Sequence, residues 1–537
     1  MNRDAPPGET FAAALRHLLE QRCGAPVELV ETHISWVFLT PRLAFKLKKA
    51  VHLSFVDFRA LAARRHFCTE ELRLNRRMAP ALYLGMLAVT GRSDAPSLGP
   101  GDAIDYLVCM RRFDEAGLLG RQLDIGRVDV GALDRFGEVL AAFHRQAPRA
   151  DVASGFGSPE RIRIALDAVL VNLAGSGGQV EAVRAWLAAS SSALRDAWRN
   201  RRLAGAVREC HGDLHADNIA TIAGELVAFD CIEFDPALRW IDTMSDTAFL
   251  VMDLKAHGRA DLAHRFLDAY LQHSGDYAGV GVLRGYEIYR ALVRALVARL
   301  RAPLPGGGAA PDYLGLASSL AGAPRAGPRL LVTHGLSGSG KSTLAAALLE
   351  RAGAIRVRSD VERKRLFGLA PLARSNAGHS DIYGQDAHRR TFERLAECAR
   401  DALRAGYPVI VDAAFLRRGE RDDFHALASA MGVPFSILHC HAPHHRLRER
   451  VSARERSGKD ASEAGLAVLE MQRASHDPLA GDERAMALEV ETDRPVDLAS
   501  LVDSWLGVDG PAPPRQHEDH ISGRSVSGSD SLPAARG

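Results

Sequence analysis

Short apolar runs recur through the last third of the chain, at 330–334, 355–358, 408–411, 435–438 and 488–491, and stretches of helical period separate them. Buried strands that alternate with helices predict a parallel sheet wrapped by helices over 329–507. The first 301 residues carry a different pattern. A helical stretch at 11–21 leads to strand-like runs at 27–32, 36–39 and 43–47. A helix over about 60–77 follows, then strand around 87–89 and 106–110. Beyond Gly131 helical periodicity dominates, interrupted by a polar loop and hairpin at 210–230. A small β-rich lobe before a larger helical lobe predicts an α+β module. The chain is therefore multidomain, with an α+β half followed by an α/β half.

Pro and Gly mark the boundary between the halves. Residues 302–311 are rich in both, and 323–328 break the chain again. This predicts a linker over 302–328 with a short helical piece from Tyr313, and two modules that work independently across flexible sequence. From 510 onward Pro, Ser, Gly and Asp replace apolar residues, so 508–537 reads as a disordered tail.

Composition narrows the classes. A length of 537 residues with 47% hydrophobic and 25% charged residues suits several soluble domains. A formal net charge of +2 gives no argument for a nucleic-acid surface or a basic membrane anchor, so basic clusters stand on local evidence. The N-terminus lacks the apolar core of a signal peptide, and no run reaches the roughly eighteen apolar residues of a membrane span. Seven scattered cysteines without C-x-x-C suit free thiols in a reducing cytoplasm.

The strongest local signal is Gly335-Leu336-Ser337-Gly338-Ser339-Gly340-Lys341-Ser342-Thr343, which fits G-x-x-x-x-G-K-[S/T]. It lies between a strand-like and a helix-like run, the context of a phosphate-binding loop. Its backbone N–H groups would cradle phosphates, Lys341 would reach the β- and γ-phosphates of ATP, and Ser342 would ligate Mg²⁺. Asp360 closes the second strand and Arg363 follows three residues later. An Asp at that strand end faces the nucleotide crevice, although it also suits a helix N-cap. Asp412 ends the apolar run Val409-Ile410-Val411 and suits the Walker B role on Mg²⁺, or contact with the acceptor. Arg450 and Arg454 share a face of a basic helix. His439, Cys440, His441, His444 and His445 raise a zinc reading that the helix starting at Pro443 disfavours.

The first half holds a second constellation. Cys210-His211-Gly212-Asp213-Leu214-His215-Ala216-Asp217-Asn218 is followed by the apolar run Leu226-Val227-Ala228-Phe229 and then Asp230. This His-Gly-Asp-x-His-x-x-Asn form resembles the aminoglycoside phosphotransferase and choline kinase branch of the protein-kinase-like enzymes. The resemblance implies that Asp213 is the base and that Asn218 and Asp230 are metal ligands. It also asks for a lysine on the third strand and a glutamate on the next helix. Lys46 and Glu71 fit these places, with Lys48 and Glu70 as alternatives, and Met110 falls at the hinge where adenine would bond to backbone. No G-x-G-x-x-G loop precedes them; Thr32-His33-Ile34-Ser35-Trp36 takes that hairpin, and Cys231-Ile232-Glu233-Phe234-Asp235 replaces Phe-Gly after Asp230. Asp242 and Asp246 resemble a position that braces the catalytic loop.

The second half resembles gluconate- and polynucleotide-kinase-like P-loop kinases of the AAA group. That resemblance implies that Asp360 takes the acceptor's proton, that Arg363 steadies the phosphoryl group and that a lid helix brings Arg450 and Arg454 onto the phosphates. The whole chain is similar to bacterial fusions of the two types. The expectation is a cytoplasmic phosphotransferase with two modules, each using ATP and Mg²⁺ on a hydroxyl of a small-molecule acceptor. Two other readings are a nucleotide-sensing regulatory or toxin-like protein and a nucleic-acid 5′-end kinase in the second half.

Overall fold

The computed structural model describes residues 8–53, 56–175, 177–301, 310–322, 327–374, 382–457 and 460–507. The tail expected over 508–537, and the linker stretches 302–309 and 323–326, lie outside the described residues.

The first module opens on a six-stranded antiparallel sheet. Its order is Glu28–Glu31, Ser35–Leu39, Leu43–Lys48, Ala103–Arg111, Tyr83–Arg92 and Ala95–Leu98. Strand alternation divides Leu43–Lys48 between two environments. Phe45 and Leu47 join a core with Phe11 and Leu15 of the helix Glu9–Cys23. Lys46 and Lys48 face the other way, toward Glu71 on the helix Leu61–Asn75. Beyond this lobe lie mostly helices, among them Val130–Gln146, Gly178–Leu203, Thr243–Ala256, Ala260–Ser274 and Val280–Arg301. The expected polar loop follows the strand Val207–Glu209 and runs into the hairpin Ile219–Ile222 with Glu225–Ala228.

The second module is a five-stranded sheet in the order Ile355–Arg358, Val409–Asp412, Leu330–His334, Phe435–His441 and Ala487–Glu491, every pair parallel. Helices cover both faces, as a sheet with continuously apolar strands requires. Each expected strand forms, with ends displaced by a few residues.

The expectation of modules strung loosely on a linker is corrected by the structure. A continuous buried cluster runs from Phe136, Phe266 and Tyr277 of the first module to Leu330, Ile355 and Leu395 of the second. The helix Ala260–Ser274 packs on the helix Lys341–Ala352, where His264 Nδ1 meets Glu350 O at 3.1 Å and Arg265 pairs with Glu350 at 2.9 Å. The Arg284 guanidinium lies 5.4 Å over the Tyr407 ring. The piece Tyr313–Ala321 packs back on the first module, with the Tyr313 hydroxyl donating to Asp253 at 2.7 Å. Flexible composition in the connection says nothing about the two surfaces it joins.

Candidate functional site

The ion cluster of the first module is built from three distant chain segments. Lys46 Nζ stands 2.6 Å from Asp230 Oδ1 and 3.0 Å from Glu71 Oε1. Lys48 Nζ, fully buried, lies 2.7 Å from Glu71 Oε2 and also contacts Glu233. Both lysines therefore reach Glu71, and Lys46 is the one that also reaches Asp230. Glu70 turns outward to Arg73 instead. Burial pushes the Glu71 carboxyl up, but the two ammoniums outweigh it and hold it at about 2. The Glu233 carboxyl is pushed up by burial and by its carboxylate neighbours, against the pull of Lys48. Two ammoniums thus face three carboxyl groups in one cluster.

The loop Cys210–Asn218 supplies the second half of this site. Asn218 Nδ2 donates to the Asp213 carbonyl and to Asp213 Oδ2, both at 3.0 Å, so the ligand atom it offers is its amide oxygen. Burial raises the Asp213 carboxyl, but the His215 ring, 3.4 Å away, with the His211 ring and the Arg294 guanidinium, holds it well below the usual carboxylate range. Asp213 is therefore ionised at neutral pH and able to accept a proton. The loop is pinned from behind by Asp246, which accepts from the His211 and Gly212 backbone N–H groups at 3.0 and 2.9 Å and meets His144 Nε2 at 3.1 Å. Gly212 has φ 90°, and a Cβ there would fall 2.7 Å from the Leu238 carbonyl, so glycine is required. Of the two aspartates compared with a bracing position, Asp246 braces the loop, while Asp242 pairs with Arg201 at 2.7 Å. Met110 stands apart from the ion cluster. It is the penultimate residue of the strand Ala103–Arg111, and with Phe113 and Phe229 it packs in an apolar layer between the lobes.

The second site surrounds a cavity of about 600 Å³ between the P-loop and the helix His444–Ser457. Lys341, Ser342, Thr343, Asp360, Arg363, Asp412, Arg450 and Arg454 all line it. The loop depends on glycine: Gly335 has φ 143°, and a Cβ there would approach the Cys440 carbonyl to 2.3 Å. Lys341 Nζ donates to the Gly335 and Leu336 carbonyls, both at 2.7 Å, and burial lowers its pKa. The Ser342 hydroxyl donates to Asp412 Oδ1 at 3.0 Å. Asp412 Oδ2 is buried without a hydrogen-bond partner. An orphaned carboxylate oxygen beside the P-loop hydroxyl is a donor set that fits Mg²⁺. Arg450 donates to the Gly338 carbonyl and to Thr492, and Arg454 to the Ala464 carbonyl, so the helix carries both over the loop. Arg363 lies 5.3 Å over the Tyr383 ring and donates to the Ile382 carbonyl. Ser339 and Leu336 shape the loop, and the Ser337 N–H is held by Gln472 Oε1 at 2.9 Å.

The histidines considered for zinc diverge. His439 Nδ1 meets His334 Nδ1 at 2.7 Å on the sheet, while His444 pairs with Glu470 at 3.2 Å. Gln472 on the loop, and Arg356 and Arg358 beside Asp412, carry no sequence signal that marks them, and Glu233 under Lys48 carries little. Only the departure at Cys231–Asp235 pointed toward Glu233.

Comparison with known proteins bears on both halves. A family model described as an AAA domain matches residues 330–479. The uncharacterized protein Rv2004c of Mycobacterium tuberculosis is 31% identical over 464 residues, spanning 84% of this chain and 91% of that protein. The uncharacterized protein Mb2027c of Mycobacterium bovis matches to the same extent. Among solved structures, a choline/ethanolamine kinase family protein from Mesorhizobium loti covers 58% of this chain and 92% of its own, at 14% identity and TM-score 0.35. A gluconokinase from Sinorhizobium meliloti covers 34% of this chain and 92% of its own, at 22% identity and TM-score 0.25.

Proposed function

The chain belongs to the family of the mycobacterial protein Rv2004c and joins a choline-kinase-like module to a P-loop kinase module, and from that premise we propose that it is an ATP-dependent phosphotransferase with two working sites. One observation carries the reading. In each half a lysine stands with carboxylates drawn from distant segments, one of which would hold a cation while a further carboxylate would act as base.

In the first module Lys46 would neutralise nucleotide phosphate, and Asn218 and Asp230 would hold Mg²⁺. Asp213 would take the proton of the acceptor hydroxyl as that oxygen bonds to the γ-phosphorus. The bond from the γ-phosphorus to the β–γ bridging oxygen breaks, and ADP leaves. In the second module Ser342 and Asp412 would hold the cation, Asp360 would take the proton, and Arg363, Arg450 and Arg454 would balance charge on the phosphoryl group. Bound Mg²⁺ would supply charge neutralisation on the phosphate oxygens. A cavity of about 600 Å³ suits a nucleotide tail with a small acceptor.

The test is γ-labelled ATP with a mixed pool of small alcohols, sugars and amino alcohols. Label in organic products above the amount released as inorganic phosphate supports the reading. Phosphate release alone favours the nucleotide-sensing alternative. Label on 5′-hydroxyl oligonucleotides, with salt-sensitive binding, favours an end kinase in the second half.

A further inference from the structure

Asp412, the carboxylate proposed to hold Mg²⁺ at the P-loop, has two guanidiniums standing just out of hydrogen-bond range. Arg356 Nη1 lies 3.8 Å and Arg358 Nε 3.6 Å from Asp412 Oδ2. Arg356 and Asp412 are buried and Arg358 is half-buried, and Asp412 Oδ2 has no hydrogen-bond partner. Buried opposite charges at this distance attract strongly and would close to a pair at about 2.8 Å if nothing held them apart.

What holds them comes largely from the other module. Asp268, on the helix Ala260–Ser274, takes Arg356 through two contacts, Oδ2 to Nη2 at 2.6 Å and Oδ1 to Nε at 3.3 Å. Gln272, one turn later, accepts from Arg358 Nη1 at 3.2 Å. The remaining acceptors are the Ser342 carbonyl for Arg356, at 3.1 Å, and Asp460 for Arg358, at 3.5 Å. Removing Asp268 would leave a buried cation whose next anion is Asp412.

We propose that Asp268 and Gln272 of the first module are positioning residues of the P-loop site. They hold Arg356 and Arg358 off Asp412 and leave its carboxylate open to a divalent cation. The second module is then complete only when docked on the first. The proposal rests on the reading of Asp412 as a metal-holding residue.

The test uses the full chain and needs no acceptor. Binding of a non-hydrolysable ATP analogue is titrated by calorimetry across a range of Mg²⁺ concentrations, with Lys341→Ala as the reference for the first module alone. Asp268→Asn is expected to raise the Mg²⁺ concentration for half-maximal binding at the Lys341-dependent site by about 10- to 100-fold. Affinity for the metal-free analogue stays unchanged. The double variant Asp268→Asn/Arg356→Gln removes the competing cation and is expected to recover wild-type Mg²⁺ dependence, which repair of a merely structural defect would not do. Gln272→Ala shifts the curve in the same direction by less, and it replaces Asp268→Asn if that variant shows no cooperative melting. An unchanged Mg²⁺ curve in the folded variant, or a defect that the double variant retains, overturns the proposal. Wild-type binding that depends on Lys341 but that Mg²⁺ does not strengthen overturns the assignment of Asp412 first, and the proposal with it.

Discussion

Lys46, Asp213 and Asp230 take different parts in the proposed first site, and single substitutions separate them. Asp213→Asn keeps the loop's shape, since Asn218 and His215 still have a polar partner there, but the amide cannot accept a proton. We expect phosphoryl transfer by the first module to fall by about 10²- to 10⁴-fold with nucleotide affinity retained. Asp230→Asn removes a charge beside Lys46 and is expected to weaken nucleotide binding only when Mg²⁺ is present. Titrations with and without Mg²⁺ separate the two roles, and equal Mg²⁺-dependent affinity in wild type and Asp230→Asn would contradict Asp230 as a ligand. At this scale the motif residues were legible because loop chemistry demands fixed spacing. The choice between Lys46 and Lys48 was not, because residues two apart on a strand share a face and only the packed helix shows that both reach Glu71.

The loop Cys210–Asn218 has only the short 3₁₀ turn Ala216–Asn218 of its own and is held by the helix Thr243–Ala256. Asp246 holds its first turn, and Asp253 accepts from the Ala216 N–H at 2.7 Å. Burial pushes the Asp246 carboxyl up, but His144 and the backbone donors hold it at about 2. A folded value below the unfolded one means that its contribution to stability is complete above about pH 4 and is lost as the pH falls toward 2. Asp246→Asn should therefore cost about 1–3 kcal/mol in urea unfolding at pH 7 and flatten the acid limb of the stability curve. An acid limb identical to wild type would contradict this bracing role. The strands of the second module, and five of the six in the first module's main sheet, were legible as strand-like runs, whereas Ala95–Leu98 was not. The brace from a helix thirty residues downstream was legible only through the family resemblance, which left Asp242 and Asp246 both open. Asp253 carried no signal, because pattern alone does not assign a polar residue in an apolar stretch to a partner.

The molecule as a whole is set by an interface that the linker's composition concealed. Asp268, Gln272 and His264 read as ordinary polar positions of a helix until the second module covers them. His264 is informative because burial, together with Lys255, lowers its pKa to about 4, against the pull of its bond to Glu350 and of Asp261. The docked state thus disfavours protonation, so this contribution is complete above about pH 6.5 and fades as the pH falls toward 4, by up to about 1.4 kcal/mol per pH unit. Melts of wild type and His264→Gln across that range are expected to converge as the pH drops, and parallel curves would contradict the assignment. The central claim is that both sites transfer phosphoryl groups. Its most direct measurement is mass spectrometry of a cell metabolite extract incubated with ATP and the full chain, the Asp213→Asn variant or the Lys341→Ala variant. The account predicts two sets of products heavier by one phosphoryl group, one lost in Asp213→Asn and the other in Lys341→Ala. ATP consumption with no new phosphorylated mass in any of the three would contradict it.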